Sequence, residues 1–266
     1  MAAIRKPIFV RPLDLGTVIC GNARGGHGVQ HLNRNRDPGL TWRTDGNGNV
    51  WAKGNFGYVQ PVDFCAMIAA NAVEGTHIRL RLGMSEGAVD GGPAVYDSAD
   101  QPFIVPASAT ANGLYCSHLE LPNVVNAVWW RIDITGHTGD FEAAGLVLGE
   151  KIEPSRYYNL DYEYAPNDLG DIEFTPWGVG DETPGLIWRT VSFTLSWQTE
   201  AEYETKFRPL TEALGKRGVI YCCFDPEPSP YRQARTFMGV LEKPVAAAGV
   251  RKPRTLEQEF KIISFI

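Results

Sequence analysis

The sequence predicts a mainly β chain: an N-terminal β-sandwich of jelly-roll type, then a smaller C-terminal α+β domain. Three observations carry the prediction. Residues 128–135 alternate, with Trp130, Ile132 and Ile134 set against Trp129, Arg131, Asp133 and Thr135, the period of a half-buried strand. About eight short runs of this kind, separated by turn signals, precede Gly149, which suits a sandwich better than a sheet with crossover helices. A helix-period run with cap and stop signals occurs only after Thr199.

Taken in order, Ile8, Phe9 and Val10 and then residues 17–20 open the sandwich, followed by a glycine-rich loop over residues 21–28. That loop lacks the Gly-Lys-Ser/Thr ending of a phosphate loop and no helical pattern follows it. Trp42 and Trp51 flank Asp45-Gly46-Asn47-Gly48-Asn49, a tight hairpin turn by its Asp-Gly and Asn-Gly steps. Residues 63–70 form an apolar strand buried on both faces. In residues 77–84, Ile78, Leu80 and Leu82 point inward, and Arg79 and Arg81 outward. A loop over 87–102 separates these from strands at 103–105 and 114–121. Residues 128–135 and 141–148, joined by the turn Gly-His-Thr-Gly-Asp at 136–140, are expected to pair as a hairpin.

Residues 151–185 change character, with Tyr157, Tyr158, Tyr162, Tyr164 and Trp177 among prolines and acids. More than thirty residues without a regular pattern are unusual inside a compact domain. They read as an extended connector suited to lying along a neighbouring subunit. Residues 186–197 alternate as a strand. Thr199 is an N-cap with Glu200 and Glu202 in the first turn, and Tyr203, Phe207, Leu210 and Leu214 keep the helix period. Pro209 predicts a kink and Gly215 the stop. Strands at 219–224, 236–241 and 256–265 complete the set, with a proline-rich turn at 225–230. The expected organisation is a sandwich over 1–150, a connector over 151–185 and an α+β assembly domain over 186–266.

Composition narrows the function. Hydrophobic residues reach 44%, enough for a real core. A net charge of −6 without a long block of either sign disfavours a broad nucleic-acid-binding face. No apolar run of membrane-spanning length occurs, and the start lacks an apolar segment with a cleavage site, so assembly in a cytoplasm is expected. Cys20, Cys65, Cys116, Cys222 and Cys223 are odd in number and lack metal-ligand spacing; they read as reduced, buried thiols. Cys222 and Cys223 point to opposite faces of a strand.

No nucleophile–base pair, carboxylate pair or metal-ligand set stands at a recognisable spacing. His27 and His31 are four apart, but in a Gly- and Asn-rich stretch rather than a helix. Asp161 and Glu163 alternate with tyrosines as a solvated strand face would. The chain is therefore expected to be no enzyme and to use no cofactor and no metal. A hydrolase whose carboxylates meet only in the fold is the lowest-ranked alternative. For glycan contact the candidates are Trp42, Arg43, Asp45 and Trp51, with Asn47 beside them: a sugar ring needs an aromatic face and polar rim groups. Against this, the tryptophans read as core or interface residues.

The run from Trp130 to Ile134, continuing through Phe141-Glu-Ala-Ala-Gly-Leu-Val-Leu-Gly to Pro154, resembles tail proteins of long-tailed bacteriophages. There, a galactose-binding-like jelly roll ends in such a strand. The pieces after Arg189 are similar in order too, through Asp225-Pro226 and the closing Phe260-Lys-Ile-Ile-Ser-Phe. The chain departs from the pattern at Ala144-Gly145-Leu146, where an Arg commonly follows the Gly. The resemblance implies a minor tail protein of the distal-tail or baseplate kind, without catalytic residues. It also implies a homo-oligomeric ring at the virion tail tip between tube, hub and receptor-binding proteins. A surface glycan is a further candidate partner.

Overall fold

The computed structural model describes residues 5–46, 48–105, 110, 112–174, 176–178, 180–249 and 253–266. Strands account for 47% and helix for 10%, so the chain is mainly β. It divides into two compact units. The first joins Met1–Glu153 with Tyr221–Thr236; the second joins Pro154–Ile220 with Phe237–Ile266.

The first unit is the jelly-roll sandwich. Its strands are β1 (Ile8–Val10), β2 (Thr17–Cys20), β3 (Trp42–Arg43), β4 (Val50–Ile68), β5 (His77–Gly83), β6 (Tyr96–Asp97), β7 (Gln101–Pro102), β8 (Leu119–Thr135), β9 (Glu142–Ala143), β10 (Gly145–Gly149) and β11 (Lys151–Ile152). One sheet runs β10-β4-β8-β5-β6, with β2 added to β4 and β7 to β5. Alternation sets its inner face: Ala52, Trp130, Ile132, Ile134, Ile78, Leu80 and Leu82 are buried in one core with Trp42, Phe103 and Phe141. The Trp130 indole donates to Leu15 O at 3.2 Å, which satisfies its one polar atom inside the core.

Three expectations are corrected here. Residues 128–135 and 141–148 do not form a hairpin: β8 and β10 lie on opposite sides of β4. The long strand β4 pairs with β8 from Val50↔Ile134 onward and with β10 over Phe64–Ile68. Trp42 and Trp51 do not flank a hairpin either, because β3 pairs with β9 and β4 with β2 and β8. Asn47, in the expected turn, lies outside the described residues. Finally, residues 221–236 belong with the sandwich. Strand β1 takes β11 on one side (Phe9↔Ile152) and Tyr221, Cys222 and Cys223 on the other. The Gln233 amide accepts from Cys116 N at 2.9 Å and donates to Cys116 O at 2.8 Å, copying a strand partner with a side chain.

In the second unit, residues 151–185 contain strands from their middle onward: β12 (Glu163–Asp168), β13 (Asp171–Phe174) and β14 (Gly180–Thr183). Then come β15 (Ile187–Thr199), β17 (Thr236–Leu241), β18 (Ala247–Gly249) and β19 (Thr255–Ser264); β16 (Val219–Cys223) begins in this unit and its residues from Tyr221 on belong to the first. Within this unit β19 is central: it pairs with β15, β17 and β18, and β15 also takes β12. Phe193 opposes Phe260, the rings stacked at 5.6 Å, and Phe207 packs on Phe260 at 6.2 Å. A bulge between Leu195 and Gln198 breaks the alternation of β15; Trp197 takes φ +62° there and Gln198 turns inward, as an extra residue in one strand requires.

The helix stands where its signals place it. Thr199 accepts from Glu202 N at 3.1 Å, and Phe207, Leu210 and Leu214 are buried. The strain expected at Pro209 appears as a π-turn over Tyr203–Phe207 before the α-turns Arg208–Leu214, since proline supplies no N–H to the ladder. Gly215 ends the run at φ +50°.

Candidate functional site

Val50 pairs with Ile134, and Cys20 with Ala52. The loops after β2, before β4 and after β8 therefore leave the large sheet at one end, where they assemble a polar cluster. Its scaffold is the short β3–β9 ladder, in which Arg43 faces Glu142 and Trp42 faces Ala143. Adjacent strand residues point to opposite faces. With Arg43 and Glu142 turned to solvent, Trp42 turns into the core.

Arg43 sits between two carboxylates, at 3.4 Å from Asp140 and 3.8 Å from Glu142. Asp140 also accepts from Gly46 N at 2.7 Å and lies 4.0 Å from Arg24. Asn71 fixes the segment from below: its amide donates to Asp140 O at 2.8 Å and accepts from Glu142 N at 2.8 Å. Thr41 bridges inward, donating to Glu142 at 2.6 Å. Its single proton is then spent, so His27 Nδ1, at 3.2 Å, is the donor in that contact. His31 Nδ1, at 2.9 Å from Thr41 O, must donate as well. Both rings thus carry a proton on Nδ1. The Arg24 and Arg43 side chains are 50% and 37% exposed, those of Asp140 and Glu142 24% and 30%. Guanidinium donors and carboxylate acceptors stand side by side at the solvent edge, a set that can bond adjacent hydroxyl groups.

Of the four residues nominated for glycan contact, Arg43 belongs to this cluster. Asp45 is its neighbour, held by Asn22 Oδ1 through its N–H at 2.8 Å. Trp42 is corrected: it is fully buried, its indole donating to Asn22 O at 3.1 Å and its ring meeting Phe141 edge-on at 5.9 Å, so no ligand can stack on it. Trp51 lies on the outer face of the sheet beside Gly21. The Arg131 guanidinium already stands 4.8 Å from its ring centre, with Lys53 at 5.4 Å. Arg24, Asp140 and Glu142 were missed from sequence, and His27 was weighed there only as a metal ligand. The usable signal was the dipeptide Trp42-Arg43, whose members must face opposite ways.

The charges around Trp51 are spent on one another. Lys53 reaches Glu86 and Asp90, Arg131 reaches Asp90 and Asp133, and Arg81 reaches Asp133, all within 2.8 Å. Arg81 and Arg131 are direct cross-strand neighbours, and Asp133 offsets their repulsion. Deeper in the unit, Glu120 accepts from Arg5 at 2.7 and 3.0 Å, Lys151 at 2.8 Å and His118 at 3.1 Å. Burial pushes the Glu120 carboxyl up, but these hydrogen bonds outweigh it and hold it far below the usual carboxylate range. None of the five cysteines is in a disulfide. Burial raises Cys65 and Cys222, and pushes Cys223 up to about 12, so these thiols are poor nucleophiles and ligands. Among the described residues no three His, Cys, Asp or Glu side chains are grouped to hold a metal.

No protein-family model matches the chain, and no curated protein matches it. Solved structures align with about half of it. The family 32 carbohydrate-binding module of Clostridium perfringens NanJ, solved with galactose, is 14% identical over 55% of this chain and 99% of its own, at a TM-score of 0.39. A Streptococcus pneumoniae fucose-binding module is 7% identical over 52% and 95%, at 0.36. Reduced XRCC1 bound to the DNA polymerase β catalytic domain is 10% identical over 52% and 99%, at 0.41. Likenesses this distant say nothing of ligand or activity.

Proposed function

We propose that the protein is non-catalytic and that its sandwich unit binds a hydroxylated ligand of the glycan class through the cluster at Arg43. One observation carries the reading: Arg43, clasped between Asp140 and Glu142 with Arg24 alongside, stays partly open to solvent at the loop end of a rigid sandwich. Among the described residues no exposed aromatic ring is placed in that cluster, so recognition is polar and weak for a single sugar. The test is a calorimetric or NMR titration of the full chain with galactose, fucose and their oligosaccharides. Saturable binding is expected. Arg43→Ala should weaken it about tenfold or more, since a hydrogen bond to a charged group contributes about 1.5–3 kcal/mol. Absence of saturable binding to any glycan, with the wild type folded, would overturn the reading.

A second reading concerns the whole chain: a structural subunit of a bacteriophage tail tip. It is supported by the order of elements in the second unit, where β15, the capped helix, β17 and β19 follow the pattern on which the resemblance rests. The two readings are compatible in one protein. Light scattering of the purified chain, alone and with the products of neighbouring genes, tests it. A defined higher-order complex is the expected result, and a 29.4 kDa monomer under every condition would count against it.

A further inference from the structure

The ribbon of β12 and β15 does not stop at the edge of the second unit. Beyond Asp168↔Ile187, Leu169 N donates to Leu186 O at 3.1 Å, and the two chain arms continue as the β13–β14 hairpin. Every residue of both hairpin strands is exposed, and they pair only with each other. A lone two-stranded ribbon is marginally stable in water. Yet this one has the alternation of a half-buried strand, Ile172 and Phe174 against Asp171 and Glu173. Its apolar face is uncovered: Ile172 is 49% exposed, Phe174 71% and Trp177, at the tip, 90%. Two such aromatic rings with their neighbours make a patch of a few hundred Å², the size at which exposed apolar surface marks an interaction site.

Charge identifies what covers it. Residues 157–188 hold seven carboxylates and no Lys, Arg or His. With the chain at −6 and this segment at −7, all other residues together sum to +1. The hairpin itself holds four of these carboxylates, Asp171, Glu173, Asp181 and Glu182; two arms face to face would set eight like charges together, so the arm's partner is not another arm. Residues 243–254 have the opposite character, with four cations and no acid. There small apolar groups are exposed, Ala248 on the edge strand β18 and Ala246 and Pro244 in the segment leading into it. Lys243 and Arg254, 59% and 87% exposed, flank them. Their ion pairs to Glu259 and Glu200 are long and solvent-facing, and so contribute little.

We infer that the acidic, aromatic-tipped arm of one copy docks on the basic β18 loop of a second copy of this chain. The contact is heterologous, one surface of each kind per copy, and so propagates into a ring or filament. The inference deepens the tail-subunit reading by naming the contact through which copies would join, and it does not depend on the glycan site.

The experiment is sedimentation velocity of the full chain over a concentration series at low and high salt. Expected is a mass that rises with concentration and falls with salt. Phe174→Ser/Trp177→Ser and Lys243→Glu/Arg254→Glu should each move the association midpoint at least tenfold, with circular dichroism unchanged. Mixed together, the two variants retain one intact interface between them and should stop at dimers. A wild type that stays monomeric at hundreds of micromolar would overturn the inference. So would association that the arm variant leaves unchanged, and in that case the tail-subunit reading would survive by another contact. Arm-dependent association unaffected by Lys243→Glu/Arg254→Glu would also refute it, because the basic loop is the stated seat.

Discussion

Strands β8 and β13 obey the same alternation and meet opposite surroundings. In β8, Trp130, Ile132 and Ile134 are all essentially buried, in one core with Trp42, Phe103 and Phe141. In β13, Ile172 and Phe174 share one face of their own ribbon and stay 49% and 71% exposed. Period-2 patterning therefore reports that a face is meant to be covered, but not by what. For β8 the cover comes from the same unit. For β13 the inferred cover is a second copy of the chain.

That comparison breaks most visibly if burial is not what separates the two strands. Trp130→Ala should cost about 3–5 kcal/mol, the range for emptying a buried aromatic site, measured as a loss of denaturant midpoint. The next effect separates polar burial from apolar burial. Glu120→Gln should cost on the order of 2 kcal/mol, less than a fully buried pair, because Arg5 is over a third exposed. The Glu120 carboxyl titrates below its unfolded value near 4.3. Its contribution is therefore complete above that pH and is lost as pH falls through the folded-state value. Acid unfolding should be steeper in the wild type than in Glu120→Gln; identical profiles would show that the ion cluster is not coupled to folding. Thr199→Ala, which removes one cap bond in the second unit, should cost about 1 kcal/mol, seen as a lowered thermal midpoint. At the bottom of the scale, Phe174→Ala should change monomer stability by less than about 0.5 kcal/mol. A larger loss would mean that the arm packs on its own chain, and the contrast with β8 would fall.

What could be read from sequence follows from how local the signal is. Alternation at Ile78, Leu80 and Leu82, the cap at Thr199 and the stop at Gly215 are set by neighbours within a few residues, and they stand as expected. Pairing order is not local. Residues 141–148 follow residues 128–135 closely, yet β4 separates them in the sheet, where its two edges find hydrogen-bond partners in β10 and β8. The candidate site divides the same way. Arg43 was legible as a surface cation near a turn. Its partners Asp140 and Glu142 lie almost a hundred residues away, and nothing in spacing points to them. Trp42 is buried, as the core reading of the tryptophans expected and its candidacy for glycan contact did not; aromatic character alone does not say which face of a strand a ring takes. The arm's aromatic and acidic content was visible, and so was the expectation of an external partner; its ribbon geometry was not, since the two strands meet across a glycine- and proline-rich turn.

The interleaving of the two units has a consequence for synthesis. The sandwich is encoded in two stretches, and the second begins only at Tyr221. While the ribosome produces the intervening residues, β1 has β11 along one side and nothing along the other, because Tyr221, Cys222 and Cys223 have yet to emerge. The nascent sandwich thus carries an open, wholly apolar edge at Ile8, Phe9 and Val10 throughout that interval. A fragment ending at Glu153 would keep that edge permanently, and would be expected to aggregate rather than serve as a minimal domain.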